Sequence, residues 1–289
     1  MENKIAPYHR GRQILQMLAE HAPISARGLE EIIEPKMHRR RVWDALNKLN
    51  KKGYLTKRYD GIFKNTGVYY QISQELVARE KVASFLKCTP ESLELKFMPR
   101  HQELIHWEGC TIWTERFRKL FPDAQVTRDF KLFTNPLAMR LILADRDHPE
   151  LMPDFLVVLP EKDERPRVSV AVEFERTLKS AERLRRKLNK YATETFLDGV
   201  IYICDVDSIG NKLRSIYSSK VMDNALRIKH YANNFVMFAT NTHTAKGLAP
   251  VLVNAEAKFA DLHEWMHWLR TTKMENRGRN SFKPLALTS

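Results

Sequence analysis

Cysteine is scarce in this sequence of 289 residues, which contains three. Cys88, Cys110 and Cys204 are odd in number and lie far apart, so they form neither a disulfide framework nor the paired CxxC spacing of a structural zinc knuckle. Disulfide-rich secreted scaffolds and cysteine-based zinc modules are therefore excluded. We expect the three thiols to be reduced.

Long apolar runs are also absent. No stretch reaches the roughly 18 apolar residues that a membrane-spanning helix needs. The first residues, MENKIAPYHRGRQ, lack the apolar segment of a secretory signal. We therefore expect a cytoplasmic protein without a membrane span.

Acidic residues are outnumbered by basic ones. The sequence has 48 Lys and Arg against 35 Asp and Glu, which gives a formal charge of +13. The excess is concentrated in the first 75 residues and in the stretch from Arg176 to Lys190, where Glu182 is the one acidic residue. Two basic surfaces of this kind favour a polyanionic partner, either nucleic acid or an acidic membrane surface.

The pattern of residues 1–75 predicts three helices followed by a hairpin. Apolar residues recur at helical spacing in the first two helices, which are separated by Pro23, and Ser25 is placed to cap the second. A third helix over about 37–52 ends at Gly53, and the strands YLTKRY and VYYQIS follow. Three helices and a basic hairpin are typical of a winged helix-turn-helix.

The third helix carries the candidate DNA-binding surface. Val42 and Leu46 face inward, which leaves the basic residues for the outer face. Such a helix fits the major groove of B-DNA, where Arg and Asn reach base edges, while basic residues of the wing contact phosphate. The candidate DNA-binding residues are Arg39, Arg40, Arg41, Asn47, Lys48, Lys57, Arg58 and Lys64. The alternative is a winged helix that contacts another protein, with a solvated run of charge.

The rest of the chain is predicted to form a connector, a second domain and a tail. Residues 76–99 are interpreted as the connector, and residues 271–289 as a basic tail that adds non-specific affinity for phosphate. Residues 100–270 are predicted to form an α/β domain. It begins with a helix over about 101–120 and continues with strands near 124–128 and 130–133.

Two apolar segments of this domain predict an antiparallel hairpin that gathers carboxylates. PDFLVVL and RVSVAVEFE are joined by the charged loop PEKDERP. With the turn centred on residues 163 and 164, Asp154 lies opposite Glu173, and Glu175 shares the face of Glu173. Carboxylates without a cation between them repel one another, so the cluster predicts a divalent metal, and magnesium suits oxygen ligands. The alternative is a surface hairpin whose glutamates only pair with neighbouring arginines.

Pro153-Asp154, the Glu173-Phe174-Glu175 element about twenty residues later and the basic segment VEFERTLKSAERLRRKLNKY resemble the core of the PD-(D/E)xK nucleases. With the winged helix, the stretch from roughly Pro7 to Cys204 is similar to MobC-type relaxases and replication-relaxation proteins of mobile plasmids. The resemblance implies an α/β fold class, an N-terminal winged helix-turn-helix followed by a restriction-endonuclease-like core. It also implies metal-dependent nicking of one DNA strand at an origin of transfer.

The same resemblance implies roles for particular residues. The third position of the motif is Glu175 instead of lysine. Some nucleases of this superfamily carry ExE, and in others the lysine lies in the following helix, where Lys179 is preferred over Lys190. The implied catalytic residues are Asp154, Glu173, Glu175, Lys179 and Lys190. The implied ligands of the metal, Mg or Mn, are Asp154, Glu173, Glu175 and Glu115, with Glu103 as an alternative to Glu115. The implied partners are double- and single-stranded DNA and accessory mobilisation proteins or a coupling protein, with no membrane.

Three other interpretations stay open. A non-catalytic regulator of plasmid replication or transcription would keep the fold and bind DNA without metal. Tyr191 is a candidate nucleophile of the kind that most other relaxases use, although its helical spacing from two leucines favours packing. The segment from His263 to His267, HEWMH, matches the HExxH signature of zinc proteases. Neighbouring apolar residues favour a packing face there, and Glu275 lies too close to be the usual third ligand.

Overall fold

A computed structural model describes residues 7–33, 36–59, 67–94, 99–100, 103–128, 132, 152–163, 165–177, 179–193, 197–217, 236–240, 252–253 and 262–281 of the chain. The chain divides into two compact units, Met1–Glu115 and Arg116–Ser289. Each unit contains helices and one sheet, so the molecule is of mixed α/β class. None of the helices in the described ranges combines the length and the apolar character that a membrane crossing requires.

The first unit packs helices around a small sheet. Its elements are α1 (Pro7–His21), β1 (Ile24–Ser25), α2 (Ala26–Ile32), α3 (Arg39–Lys51), β2 (Leu55–Tyr59), β3 (Val68–Ile72), α4 (Leu76–Leu86), a 3-10 turn (Pro90–Leu93) and the start of α5 (Leu104–Leu120). The strands are ordered β1-β3-β2, and both pairings are antiparallel. The three helices and the hairpin that the sequence predicts are present.

Local sequence signals set the ends of these helices. The Ser25 side chain caps α2, as predicted, by accepting a hydrogen bond of 3.1 Å from the N–H of Gly28. Gly53 follows α3 with a φ of +75°, a left-handed conformation that residues with a Cβ avoid. Val42 and Leu46 of α3 are fully buried, which leaves the arginines of this helix on the outside.

The core of the first unit extends beyond residue 75. α4 buries Val82 and Ala83, and the following turn buries Leu93, in the same hydrophobic cluster as Leu18 and Leu46. The predicted connector is therefore folded in its described residues. It contributes apolar side chains to this core instead of linking two independent cores.

The second unit is built on a six-stranded sheet. Its described elements are the end of α5, β4 (Gln125–Arg128), β5 (Phe155–Leu159), β6 (Val168–Glu175), α6 (Ala181–Thr193), β7 (Gly199–Cys204), α7 (Asp207–Tyr217), β8 (Val236–Thr240), β9 (Leu252–Val253) and α8 (Leu262–Ser281). The strand order is β4-β5-β6-β7-β8-β9. Neighbours pair antiparallel from β4 to β6, parallel from β6 to β8, and antiparallel at β9. α6 and α7 lie in the crossover connections that parallel pairs require.

β5 and β6 form the predicted hairpin in the predicted register. Phe155 pairs with Val172, and a bridge between residues 162 and 165 closes the turn. One position further, this register brings Asp154 opposite Glu173. Every residue of both strands is buried, because both strands lie in the interior of the sheet. The alternative of a solvated surface hairpin is wrong.

Two further predictions concern segments at the margins of the described ranges. The predicted strand near 130–133 lies outside them except for Leu132, which is buried. The predicted tail from residue 271 is wrong in its first part, since α8 continues to Ser281. Lys273 helps to hold this part of the helix, because its Nζ lies 2.8 Å from the carboxylate of Asp198. Residues 282–289 lie outside the described residues.

Candidate functional site

Three carboxylates gather at one edge of the sheet in the second unit. Asp154 precedes β5, while Glu173 and Glu175 end β6, and these strand ends meet because the strands are antiparallel. The Oδ2 of Asp154 accepts a hydrogen bond of 2.7 Å from the backbone N–H of Phe174. Glu173 and Glu175 are only 1% and 5% exposed. Burying such groups costs free energy unless a cation or hydrogen-bond donors compensate their charge.

Glu173 is held by two side chains of α6. The Nζ of Lys187 lies 2.6 Å from Glu173 Oε2, and the hydroxyl of Tyr191 donates a hydrogen bond to Glu173 Oε1. The pKa of Glu173 is raised to about 8, because burial and the charges of Asp154 and Glu175 raise it more than Lys187 lowers it. The positive charge of Lys187 therefore does not fully offset the cost of burying Glu173 beside two other carboxylates.

Lys187 is a functional candidate that sequence reasoning missed. The prediction preferred Lys179, whose Nζ lies 3.9 Å from Glu175 Oε2 and whose side chain is 36% exposed. Lys179 thus lies near Glu175, while the lysine bound to Glu173 is Lys187, which is buried. The side chain of Lys190, the second predicted lysine, lies outside the described residues.

A sequence signal for Lys187 does exist in α6. Leu184 and Tyr191 are fully buried, and they stand three residues before and four residues after Lys187. Residues at this spacing share one face of a helix. Arg186, by contrast, is exposed and lies 3.6 Å from Glu182 on the same helix. The inward face of α6 therefore identifies Lys187 among the many basic residues of this segment.

Tyr191 is buried and bonded to protein. Its exposed fraction is 0%, and its hydroxyl donates to Glu173. Burial and the charge of Glu173 raise the pKa of Tyr191 well above its ordinary value, which disfavours the phenolate that a nucleophile requires. The packing interpretation of Tyr191 is confirmed. Tyr202, which pairs with Glu173 across β6 and β7, is buried as well, and burial and the same carboxylates raise its pKa.

The donor types at the sheet edge, although not the spacing of all three carboxylates, match those of a hard divalent cation such as Mg or Mn. Carboxylate oxygens are the ligands that these ions prefer. A carboxylate that accepts hydrogen bonds can still bind an ion, because its two oxygens offer about four lone-pair positions. Asp205, which sequence reasoning did not single out, follows β7 at the same edge and lies 3.6 Å from Arg176. In the part of the chain that the structure describes, the oxygens of Asp154, Glu173 and Glu175 do not all come within 4.8 Å of one another.

The two glutamates predicted from the earlier helix have local partners. Glu115 Oε1 lies 3.4 Å from His21 Nε2 in the first unit. Glu103 Oε2 accepts a hydrogen bond of 2.9 Å from the N–H of Arg100, next to the start of α5. These contacts give both glutamates a structural role and provide no support for the predicted metal ligation.

The predicted DNA-binding residues of α3 form an exposed surface on the first unit. Arg39, Arg40, Arg41 and Lys48 are exposed, and Asn47 is half-buried. The three arginines occupy the first turn of the helix, which contains no acidic residue. His38 caps this turn by accepting a hydrogen bond of 3.3 Å from the N–H of Arg40. Trp43, which sequence reasoning did not single out, is 53% exposed on the same helix.

The predicted phosphate contacts of the hairpin are less accessible. Lys57 and Arg58 are half-buried. Arg58 donates a hydrogen bond of 2.9 Å to the carbonyl of Pro99, and Lys57 Nζ lies 5.8 Å from the centre of the Tyr70 ring. Lys64 lies outside the described residues. α3 therefore offers more freely exposed positive charge than the described part of the hairpin.

The HExxH segment lies on α8 with both histidines exposed. The side chains that this helix buries are Leu262, Trp265, Met266 and Leu269, which confirms the packing interpretation. His263 and His267 point away from these residues and are exposed. Within the described ranges, no third His, Cys, Asp or Glu joins the two imidazoles in a group that could hold a metal ion. The side chain of Glu275 lies outside the described residues.

Comparison with known proteins provides no independent identification. No family model, no curated protein and no solved structure is significantly similar to this chain. The function is therefore argued from the chemistry of the carboxylate and lysine cluster and from the basic surface of α3.

Proposed function

We propose that the chain is a DNA-nicking endonuclease of the relaxase type, which binds DNA through its first unit and cuts one strand with Mg or Mn in its second. The observation that carries this proposal is the buried cluster in which Glu173, beside Asp154 and Glu175, is bonded to Lys187. Buried carboxylates with a perturbed pKa and a single lysine partner are concentrated at functional sites. An oxygen-rich donor set also favours a metal-dependent reaction.

The arrangement of the first unit supports DNA binding. The element order α1-β1-α2-α3-β2-β3, with strand order β1-β3-β2, is the order expected of a winged helix. Three arginines in the first turn of α3 oppose the helix dipole, at a cost of about 0.3 to 1 kcal/mol each. A polyanionic partner at this surface would reverse that cost, because phosphate groups are attracted to the N-terminus of a helix as well as to arginine.

The arrangement of the second unit supports a nuclease core. The chain order from the end of α5 through β4, β5, β6 and α6 to β7 is compatible with a PD-(D/E)xK core. The carboxylates lie where β6 and β7, a parallel pair, end, and α/β proteins commonly bind ligands at the carboxyl ends of parallel strands. The fold and the chemical character of the cluster therefore agree with the same proposal.

The residues of the cluster have distinct roles in this proposal. Asp154 and Glu175 would hold the ion together with Glu173, and the hydrogen bond from Phe174 N–H orients Asp154. When bound, Mg or Mn would supply Lewis-acid chemistry, lowering the pKa of water and neutralising charge on the phosphate. Lys187 keeps Glu173 in place and stabilises its ionised form. Lys187 replaces the motif lysine that the sequence lacks at position 175.

Conversion of supercoiled plasmid to open circle tests this proposal. A plasmid that carries the candidate transfer origin is incubated with Mg or Mn and with wild type, Asp154→Ala, Glu173→Ala or the control Glu182→Ala. Glu182 is matched in charge and its side chain is 76% exposed on α6. We expect wild type and Glu182→Ala to nick and the two cluster variants to bind DNA without nicking. Equal nicking by all four proteins would contradict the proposal.

A non-catalytic DNA-binding regulator is the second candidate. It is favoured by one observation, because both oxygens of Glu173 already accept hydrogen bonds from protein donors. A cluster satisfied in this way can be purely structural. This candidate predicts that wild type binds DNA tightly but does not nick it with either metal. It also predicts that the Glu173→Gln variant binds DNA with the same affinity as wild type.

A further inference from the structure

A groove of about 240 Å³ lies in the second unit, between α8, the end of α5 and the turn after β5. It is separate from the carboxylate cluster, since Asp154 precedes β5 and Pro160, which lines the groove, follows the strand. A five-residue strand places these two positions roughly 20 Å apart. The groove also contains both histidines of the HExxH segment, for which the proposed nuclease activity provides no role.

The groove is rich in positive charge. Its charged side chains are Lys162, Arg165, Arg270 and Asp123. The one acidic residue is already paired, because Asp123 Oδ2 lies 3.0 Å from Lys162 Nζ. Arg165 and Arg270 therefore remain as a net double positive charge.

Arg270 is held in the groove by a hydrogen bond, and its guanidinium has a further donor without an acceptor. Its guanidinium donates one hydrogen bond of 2.8 Å to the carbonyl of Pro160, while its Nε has no hydrogen-bond acceptor. Burial lowers the pKa of Arg270, the charge of Arg165 lowers it further, and the charge of Asp123 acts in the opposite direction. Arg165 and Arg270 are like charges that line the same groove, so they repel each other. A bound anion would remove this repulsion and accept the remaining N–H donors.

The net positive charge of the groove favours an anion over a cation as its ligand. His263 and His267 stand four residues apart on the exposed face of α8, a spacing that can hold a transition metal. The net positive charge of the groove disfavours a divalent cation beside them. Imidazole N–H groups can instead donate hydrogen bonds to an anion, in the same direction as the guanidinium groups.

We propose that this groove is a binding site for a phosphate group, with Arg165 and Arg270 as its principal cationic partners and His263 and His267 as further donors. Several cations around one small groove match a multiply charged tetrahedral anion, and arginine binds phosphate in a bidentate manner. Phe121 and Met266 form an apolar wall beside the charged residues. The groove therefore accepts a phosphate carried on a small organic group as well as a bare ion, and the same chemistry fits a phosphate of a nucleic-acid backbone.

Calorimetric titration of the full chain with inorganic phosphate tests the site. We expect saturable binding by wild type, weakened by about tenfold or more in Arg270→Gln, which is the effect of losing one hydrogen bond between charged groups. Lys81→Gln, which removes a positive charge from an exposed position of α4 outside the groove, should bind as wild type does. Circular dichroism of each variant shows whether it is folded, and Arg165→Gln provides a second variant if Arg270→Gln is not.

A second measurement distinguishes the two sources of the phosphate group. If the site takes a free phosphate or phosphomonoester, inorganic phosphate binds and DNA affinity is equal in Arg270→Gln and Lys81→Gln. If it takes a backbone phosphate, inorganic phosphate binds weakly, and Arg270→Gln lowers DNA affinity and reduces the slope of log affinity against log salt concentration by about one relative to Lys81→Gln. The absence of both effects, or equal losses in Arg270→Gln and Lys81→Gln, overturns the proposal.

Discussion

At the scale of single residues, Glu173 determines the character of the candidate site. It is 1% exposed, and its two oxygens are bonded to Lys187 and Tyr191. Removing one partner of a buried pair leaves an uncompensated charge, whereas replacing both can be neutral. The contribution of Lys187 is therefore measurable separately from that of Glu173.

Lys187→Met should destabilise the protein by roughly 3 to 5 kcal/mol at pH 9, above the Glu173 pKa of about 8, because it removes the cation that favours the ionised form of Glu173. At pH 7 the loss should be smaller, since Glu173 can be protonated. The double variant Glu173→Gln/Lys187→Met should recover much of this loss, since neither charge is then buried. The measurement is the free energy of unfolding from urea denaturation. Lys179→Met is the matched control, and it should cost less than about 1 kcal/mol because this lysine lies 3.9 Å from its carboxylate and is 36% exposed. A double variant as unstable as Lys187→Met alone would contradict the pairing.

The buried carboxyl group of Glu108 should make the stability of the first unit depend on pH. Its Oε1 accepts a hydrogen bond of 2.6 Å from the N–H of Ser25, and burial raises its pKa above the ordinary 4.5 while that hydrogen bond acts in the opposite direction. The folded protein therefore holds this proton more tightly than the unfolded chain does. The resulting stabilisation is complete below pH 4.5 and is lost as the pH rises through the folded pKa.

Glu108→Gln tests this dependence, because glutamine does not titrate. The stability of wild type relative to Glu108→Gln should fall as the pH rises from 4.5, as measured by urea unfolding at several pH values. Glu182→Gln, an exposed position, should follow wild type at every pH. If the free energy of unfolding of wild type relative to Glu108→Gln stays constant or rises with pH, the pKa of Glu108 is not raised in the folded protein.

At the scale of elements, the β5–β6 hairpin could be predicted from the sequence. Its strands are apolar and β-branched, and a charged loop separates them, so the centre of the turn and hence the register follow. The register is also strongly specified by physics, since a slip by one residue would turn Glu173 to the other face of the sheet. Phe155 pairs with Val172 as this argument requires.

α4 and the orientation of α6 could not be predicted in the same way. In α4, Leu76 and Val77 are exposed while Val82 and Ala83 are buried, so apolar residues occupy several faces and no single stripe identifies the core side. In α6 basic residues occupy many positions, so the sequence does not show which lysine faces the carboxylates. The rotation of the helix is fixed by tertiary packing, and that packing turns Lys187 inward.

Arg40→Ala should weaken specific DNA binding by roughly 1 to 3 kcal/mol if this exposed residue of α3 reads a base. The measurement is fluorescence anisotropy with a specific and a scrambled duplex at one fixed salt concentration. Lys81→Ala, an exposed position on α4, is the control and should not alter the ratio of the two affinities. Unchanged specificity in Arg40→Ala would assign this arginine to phosphate contact or to no contact.

Gly28→Ala should destabilise the first unit by about 1 to 3 kcal/mol, because no space exists for the added methyl group. A Cβ at this position would lie 2.4 Å from Glu108 Oε1 and 2.7 Å from Ile24 Cγ1. Gly11→Ala is the matched control within α1, where a Cβ meets nothing within 4 Å. It should stabilise the protein by about 0.5 to 1 kcal/mol, the usual gain of alanine over glycine in a helix. Thermal or urea unfolding that ranks the two variants in the opposite order would show that Gly28 is not closely packed.

At the scale of the whole molecule, the two units carry different chemistry. The first presents exposed arginines on α3, and the second contains the carboxylate cluster and the cationic groove. The formal charge of +13 is compatible with both, because positive charge on either unit attracts a polyanion. Binding and cutting are therefore expected to be separable by mutation.

Manganese binding tests the central claim most directly, because it does not require the correct DNA sequence. Free Mn²⁺ is followed by electron paramagnetic resonance during titration of wild type, Asp154→Ala and Glu182→Ala. The account predicts saturable binding by wild type and by Glu182→Ala, and an affinity at least about tenfold lower in Asp154→Ala. No saturable binding by wild type, or equal binding by Asp154→Ala, would contradict the claim that the carboxylate cluster holds a divalent ion.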